Sequence, residues 1–161
     1  MKKRTSRKKP EQRGKCSYII EMMSWDFAYS IGINDIKHII EDKVFLEHKA
    51  LNIKGVIIEP AKFRDREINV TVSGSREITP VLDAPENYPH AQPQALGEIT
   101  LRVKQSELRC WVPFDAFQVI CSMFIAGKIK YLDLYGETLF RGFGNIHSVR
   151  FERKYCPEDF G

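Results

Sequence analysis

The chain has 161 residues, of which 43% are hydrophobic and 29% charged, with 25 basic and 21 acidic side chains and a net charge of +4. That length suits one domain around one core. A mean hydropathy of -0.34 and apolar runs as short as Val56-Ile57-Ile58 exclude a membrane-spanning helix.

In chain order, the first element is a basic tail. Lys2, Lys3, Arg4, Arg7, Lys8, Lys9, Arg13 and Lys15 face a single acid, Glu11, within residues 1–15, and the other 146 residues hold 17 basic and 20 acidic side chains. The calculated pI of 8.9 therefore belongs to the tail, and residues 16–161 form a mildly acidic body. With no apolar residue beyond Met1, the tail is expected to be disordered, because it cannot bury enough surface to offset its ordering entropy. Its charge suits a polyanion, with nucleic acid as the expected partner; a purely solubilising tail is the alternative. The stretch from Cys16 to Tyr29 is broken by Glu21, Ser24 and Asp26, unlike the core of a secretory signal, so a cytoplasmic location is expected.

Tyr18 to Ile31 reads as a long first strand, with Trp25, Phe27 and Tyr29 alternating against Asp26, Ala28 and Ser30. Asp35 is placed to cap a short helical turn sharing Ile36, Ile39 and Ile40 on one face. Val44 to Leu51 and Ile53 to Glu59 follow as two strands, the second stopped by Pro60; Ile68, Val70 and Val72 alternate in another that ends at Ser73-Gly74-Ser75. Four prolines between Thr79 and Ala95 predict one extended surface loop, a candidate contact element.

Ile99, Leu101 and Val103, then Leu108, Cys110 and Val112, read as a hairpin. After Pro113, Asp115 and Gln118 approximate a capping box opening a helix from Ala116 to Ala126, whose Phe117, Ile120, Cys121, Phe124 and Ile125 recur at helical spacing. Ile129 to Tyr135 forms a strand, Gly136-Glu137 a turn, and Thr138 to Tyr155 one long or two short strands interrupted by Gly142 and Gly144. The sum is a β-rich α+β fold: an antiparallel sandwich or open barrel of about eight or nine strands with one packed helix near 115–126.

Chemistry-bearing motifs are sparse. Cys16, Cys110, Cys121 and Cys156 form no C-x-x-C pair and read as free or buried thiols. His38, His48, His90 and His147 lack metal-ligand spacing, and no nucleophile elbow or nucleotide-binding loop is present, so no catalytic residue, metal or cofactor is expected. Glu47-His48-Lys49 after Asp35, Glu152-Arg153-Lys154 after Asp133, and Glu41-Asp42-Lys43 each fit a metal-nuclease triplet, but three matches in one short chain discriminate little from exposed charges.

Arg141-Gly142-Phe143-Gly144-Asn145-Ile146-His147-Ser148 resembles the RNP1 signature of the RNA recognition motif family, matching its first four positions, with Ile146 suited to the sixth. Cys110 to Phe114 followed by the helix is weakly similar to that family's first strand and helix. The resemblance implies RNA contact through stacking aromatics, but Asn145 and Ser148 stand where aromatics belong. The chain after Arg141 is also too short for the family's second helix and fourth strand, so a glycine-kinked strand is the structural reading.

The leading expectation is a small non-enzymatic binding module or accessory subunit. The tail residues, joined by Arg141, Arg150, Arg153 and Lys154, would contact nucleic acid without sequence preference, and the body would dock on a protein partner or a second copy. Of the aromatics on predicted strands, Trp25, Phe27, Tyr29, Trp111, Tyr131 and Tyr135, most are expected in the core. Trp111 is the expected exposed contact, because its parity opposes Leu108, Cys110 and Val112. A pure protein-interaction role (adaptor, inhibitor or immunity factor) and a metal-dependent nuclease are the alternatives.

Overall fold

In a computed structural model of the chain, residues 13–33, 45–87 and 95–157 are described. Their strands are β1 (Lys15–Ile33), β2 (Phe45–Glu59), β3 (Glu67–Ser75), β4 (Gly97–Arg102), β5 (Gln105–Pro113), β6 (Tyr131–Glu137) and β7 (Phe143–Glu152). The helices are α1 (Ile78–Asp83) and α2 (Phe114–Ile125). The β-rich α+β expectation holds.

Hydrogen-bonded neighbours run β1-β2-β3-β5-β4-β7-β6 and return to β1, closing a barrel. All pairs are antiparallel except β3 with β5. An odd-membered ring of strands needs at least one parallel neighbour, and this one is reached through the long crossover carrying α1. Closure removes the open edges that a sandwich would leave along the ring.

Alternation along the strands builds the core. Tyr18 and Ile20, Leu51 and Ile53, Ile68, Val70 and Val72, Ile99, Leu108, Cys110, Leu132, Leu134 and Ile146 point into one cluster. Phe117, Ile120 and Phe124 of α2 join it, so the helix closes the barrel end where β5 finishes and β6 begins. The helical stripe read from the sequence is thus core packing.

Several finer expectations are corrected. The described residues hold seven strands rather than eight or nine, in a mixed rather than purely antiparallel arrangement. Val44 to Leu51 and Ile53 to Glu59 are one strand: Asn52 pairs with both Asp26 and Thr71, so both neighbouring ladders run unbroken through it. Lys15 already belongs to β1, paired with Glu137, so the basic tail's last residues are part of the barrel. Gly136 and Glu137 end β6 instead of forming a turn, and the turn falls at Arg141-Gly142. The segment from Thr79 holds α1 rather than a wholly extended loop.

α2 opens from Pro113 with no side-chain cap, so the Asp115/Gln118 capping box does not form. The Asp35 helical turn, Glu41-Asp42-Lys43, His38, His90 and Lys2 to Lys9 lie outside the described residues. No described helix is long and apolar enough to cross a membrane.

Candidate nucleic-acid interface

Strand direction gathers charge at one end of the barrel. β1, β3, β5 and β7 begin there and β2, β4 and β6 end there, so the adjoining turns collect there too. These places carry Arg13, Lys15, Lys62, Arg64, Arg66, Arg102, Lys104 and Arg141, against Glu59, Asp65, Glu67 and Glu137. The sequence distributes these basic residues over three separate turns and the segment leading into β1, and only the ring makes them neighbours.

Contacts link four of them, Arg66, Arg102, Arg141 and Arg13, into one string. Arg66 donates to the carbonyl oxygens of Arg102 and, at 3.2 Å, Gln105, while its Nε reaches Ser106 Oγ at 2.7 Å. Arg102 Nε in turn donates to the Arg141 carbonyl at 3.4 Å. The guanidinium groups of Arg141 and Arg13 each lie 5.3 Å from the centre of the Phe140 ring, which is 56% exposed. Lys15 Nζ lies 2.8 Å from His147 Nδ1 on β7, a contact separate from this string.

Backbone geometry fixes the turn that presents Arg141. Phe140 and Phe143 exchange backbone hydrogen bonds of 2.9 and 3.1 Å across a two-residue turn, in which Arg141 has φ 53° and Gly142 φ 80°. Two successive left-handed residues match the twist of a tight hairpin, which glycine tolerates and arginine resists. A Cβ at position 142 would sit 2.8 Å from both Arg102 Cγ and the Leu101 carbonyl oxygen. Gly142 therefore permits the close approach that joins Arg102 to Arg141.

Glu137 anchors the root of the tail. Its carboxylate takes Arg13 Nη1 at 3.2 Å and the Asn145 backbone N–H at 3.2 Å. Burial alone would raise this carboxyl, but the bonds from Asn145 and the charge of Arg13 outweigh it and hold it below the ordinary glutamate value. Thr138 N–H and Oγ1 both donate to the Gly14 carbonyl, so residues 13–15 are tied down by backbone as well as charge.

The barrel thus brings Arg13, Lys15 and Arg141 together and leaves the other predicted C-terminal cations apart. Arg150 is engaged by Asp133 at 3.4 Å and Glu152 at 3.6 Å, while Arg153 and Lys154 follow β7 at the far end. Sequence reading missed Arg66 and Arg102, because each looks like an ordinary solvated charge until the strands are ordered around the ring.

The RNP1-like string does not carry a stacking platform. It straddles the Arg141 turn and β7 of a barrel, Ile146 is fully buried, and Phe143 is partly buried. The four-stranded open sheet that the resemblance implies is absent among the described residues.

The described carboxylates of the nuclease-like triplets are also engaged. Glu47 accepts from Tyr29 Oη and Arg76, and Glu152 and Asp133 share Arg150. No group of three or more potential metal ligands occurs among the described residues. Cys110 is buried, and burial pushes its thiol up to about 12; Cys16 and Cys121 are partly buried, Cys156 is exposed, and all four are free.

Trp111 is 40% exposed, as its parity predicts. The expectation of core positions fails for Trp25, Phe27 and Tyr29, which are 42%, 47% and 51% exposed, and for Tyr135 on the outer face. Trp25 and Phe27 do face inward, across from Ile53 and Leu51, but β1 and β2 run on beyond the barrel rim, where, among the described residues, α2 covers them in part.

Compared with known proteins, the chain matches no family model, no curated protein and no solved structure. The class that the fold and site define is a closed, mixed-sheet β-barrel with a basic rim at one end.

Proposed function

We propose that this protein is a small non-enzymatic binding module that contacts nucleic acid through its basic N-terminal residues and the adjoining barrel rim, without reading base sequence. One observation carries this reading. Arg13, at the root of the tail, sits in the same contact string as Arg141, Arg102 and Arg66, with Lys15 two residues on at the start of β1, so the root of the tail adjoins the basic rim.

Separated arginines on a rigid end can each meet a phosphate, and each such contact releases condensed counterions. Arginine's planar donors suit phosphate oxygens, and backbone positioning rather than base-edge contact is what this surface offers. The rest of the body, mildly acidic and bearing exposed Trp111 and Tyr135, would then dock on a protein partner.

Fluorescence anisotropy of labelled DNA and RNA over a salt series tests the reading. Wild type is expected to bind with a log–log salt slope of several units. Removing residues 1–12 should cut the slope by most of the tail's charge, and Arg102→Ala or Arg141→Ala should weaken binding severalfold and lower the slope by about 1 each. Lys128→Ala, at the α2 end, should bind like wild type. Absence of binding by the full-length protein at low salt would overturn the proposal and leave the protein-interaction reading in its place.

A further inference from the structure

β1 is 19 residues long, but β6 accompanies it only from Lys15 to Glu21. β6 begins at Tyr131, opposite Glu21; a register shift against β2 follows between Met22 and Ser24, and from Ser24 to Ile33 the strand pairs with β2 alone among the described residues. Among the described residues, the second edge of this ten-residue stretch has no strand beside it. The Phe27 N–H donates instead to the carboxylate of the adjacent Asp26 at 2.8 Å, a side chain standing in where a ladder partner is absent.

Exposed edges in folded proteins usually carry lysine, proline or repeated charge that prevents pairing. This edge carries none of them. From Met22 to Ile33 the only side chain charged at neutral pH is Asp26, and Trp25, Phe27, Tyr29, Ile31 and Ile33 line one face with exposures of 42% to 78%. Such a surface calls for a partner that supplies both peptide groups and apolar side chains, which is another β-strand.

We infer that the partner is a second copy of this chain, its β1 added antiparallel to the first across a twofold axis at Ala28. Three features of the strand favour self-pairing there. An axis at Ala28 keeps the faces matched, setting Trp25 against Ile31 of the second copy and Phe27 against its Tyr29, the aromatic and aliphatic cross-strand pairs that stabilise sheets. It sets Asp26 against Ser30, so the single charge never meets itself. It also puts the strand's smallest side chain other than glycine at the self-opposed position, where two identical residues approach most closely. The result is a four-stranded β2-β1-β1-β2 layer joining two barrels.

The inference rests on the docking half of the reading above and not on nucleic-acid contact, so its test is run without nucleic acid and at high salt. Sedimentation velocity over a concentration series is expected to show wild type passing from monomer to dimer. Ala28 is exposed, so Ala28→Lys and Ala28→Glu should fold normally, with unchanged circular dichroism, and each should remain monomeric because like charges oppose at the axis. An equimolar mixture of the two should recover the dimer by pairing lysine with glutamate. Wild type that stays monomeric at every concentration, single variants that dimerise like wild type, or a mixture that stays monomeric would each overturn the inference. None of these outcomes bears on tail-dependent nucleic-acid binding, which the anisotropy series reads separately.

Discussion

Two carboxylates on β6, four residues apart, are shifted in opposite directions from their ordinary values because their surroundings differ. Asp133 is buried, with a side chain 7% exposed, and burial raises it; Arg150 at 3.4 Å pulls it down without cancelling the rise. Glu137 is held below its ordinary value by Asn145 and Arg13. A lowered carboxyl adds stability that is present above its unfolded value and is lost as pH falls through the folded one. Glu137→Gln should therefore cost roughly 1 kcal/mol at neutral pH and nothing in strong acid. A raised carboxyl acts in reverse, so wild type should gain from Asp133 as pH falls through its raised value toward the ordinary aspartate range, and Asp133→Asn should abolish that gain. Thermal melts of both variants from neutral to acid pH check the signs. Asp133 was named in the sequence only as a nuclease-like carboxylate; its burial depends on neighbouring strands, which no local pattern encodes.

At the scale of elements, the Arg141-Gly142 turn decides whether the rim exists. Gly142 has φ 80° and no room for a Cβ beside Leu101 and Arg102. Gly142→Ala should destabilise the protein by about 1–3 kcal/mol and move Arg102 relative to Arg141, weakening nucleic-acid binding as much as losing one of those arginines. Urea titration and the anisotropy assay measure the two effects. The glycine was legible in the sequence as an interruption of a strand pattern, but not as the point where two arginines meet. Helix α2 was legible more fully, because Phe117, Ile120 and Phe124 recur at helical spacing and do enter the core. Its start was not: Pro113 supplies no capping side chain, and the chain turns there because β5 has ended. Likewise, alternation in β1 was read correctly, yet it says only that Trp25, Phe27 and Tyr29 share a face. Whether that face is covered depends on how far the other strands extend beside it.

At the scale of the whole molecule, one cluster joins all seven strands and α2, so the barrel should unfold as a unit. Leu108, fully buried on β5 between the parallel and antiparallel ladders, is a fair test. Leu108→Ala should cost about 2–5 kcal/mol and keep a single transition that coincides by circular dichroism and tryptophan fluorescence. Separate transitions would show that the barrel and its long β1-β2 arm melt independently. What the sequence determined by itself was strand content, the one long helix, the parity of Trp111 and the segregation of basic charge at the N-terminus, all of which follow from local periodicity and composition. Among the described residues, tertiary structure alone decided the order of strands, the single parallel pair, the rim and the unpaired edge of β1. Each of these is a relation between residues far apart in the chain, fixed by which backbones pair once the ring closes.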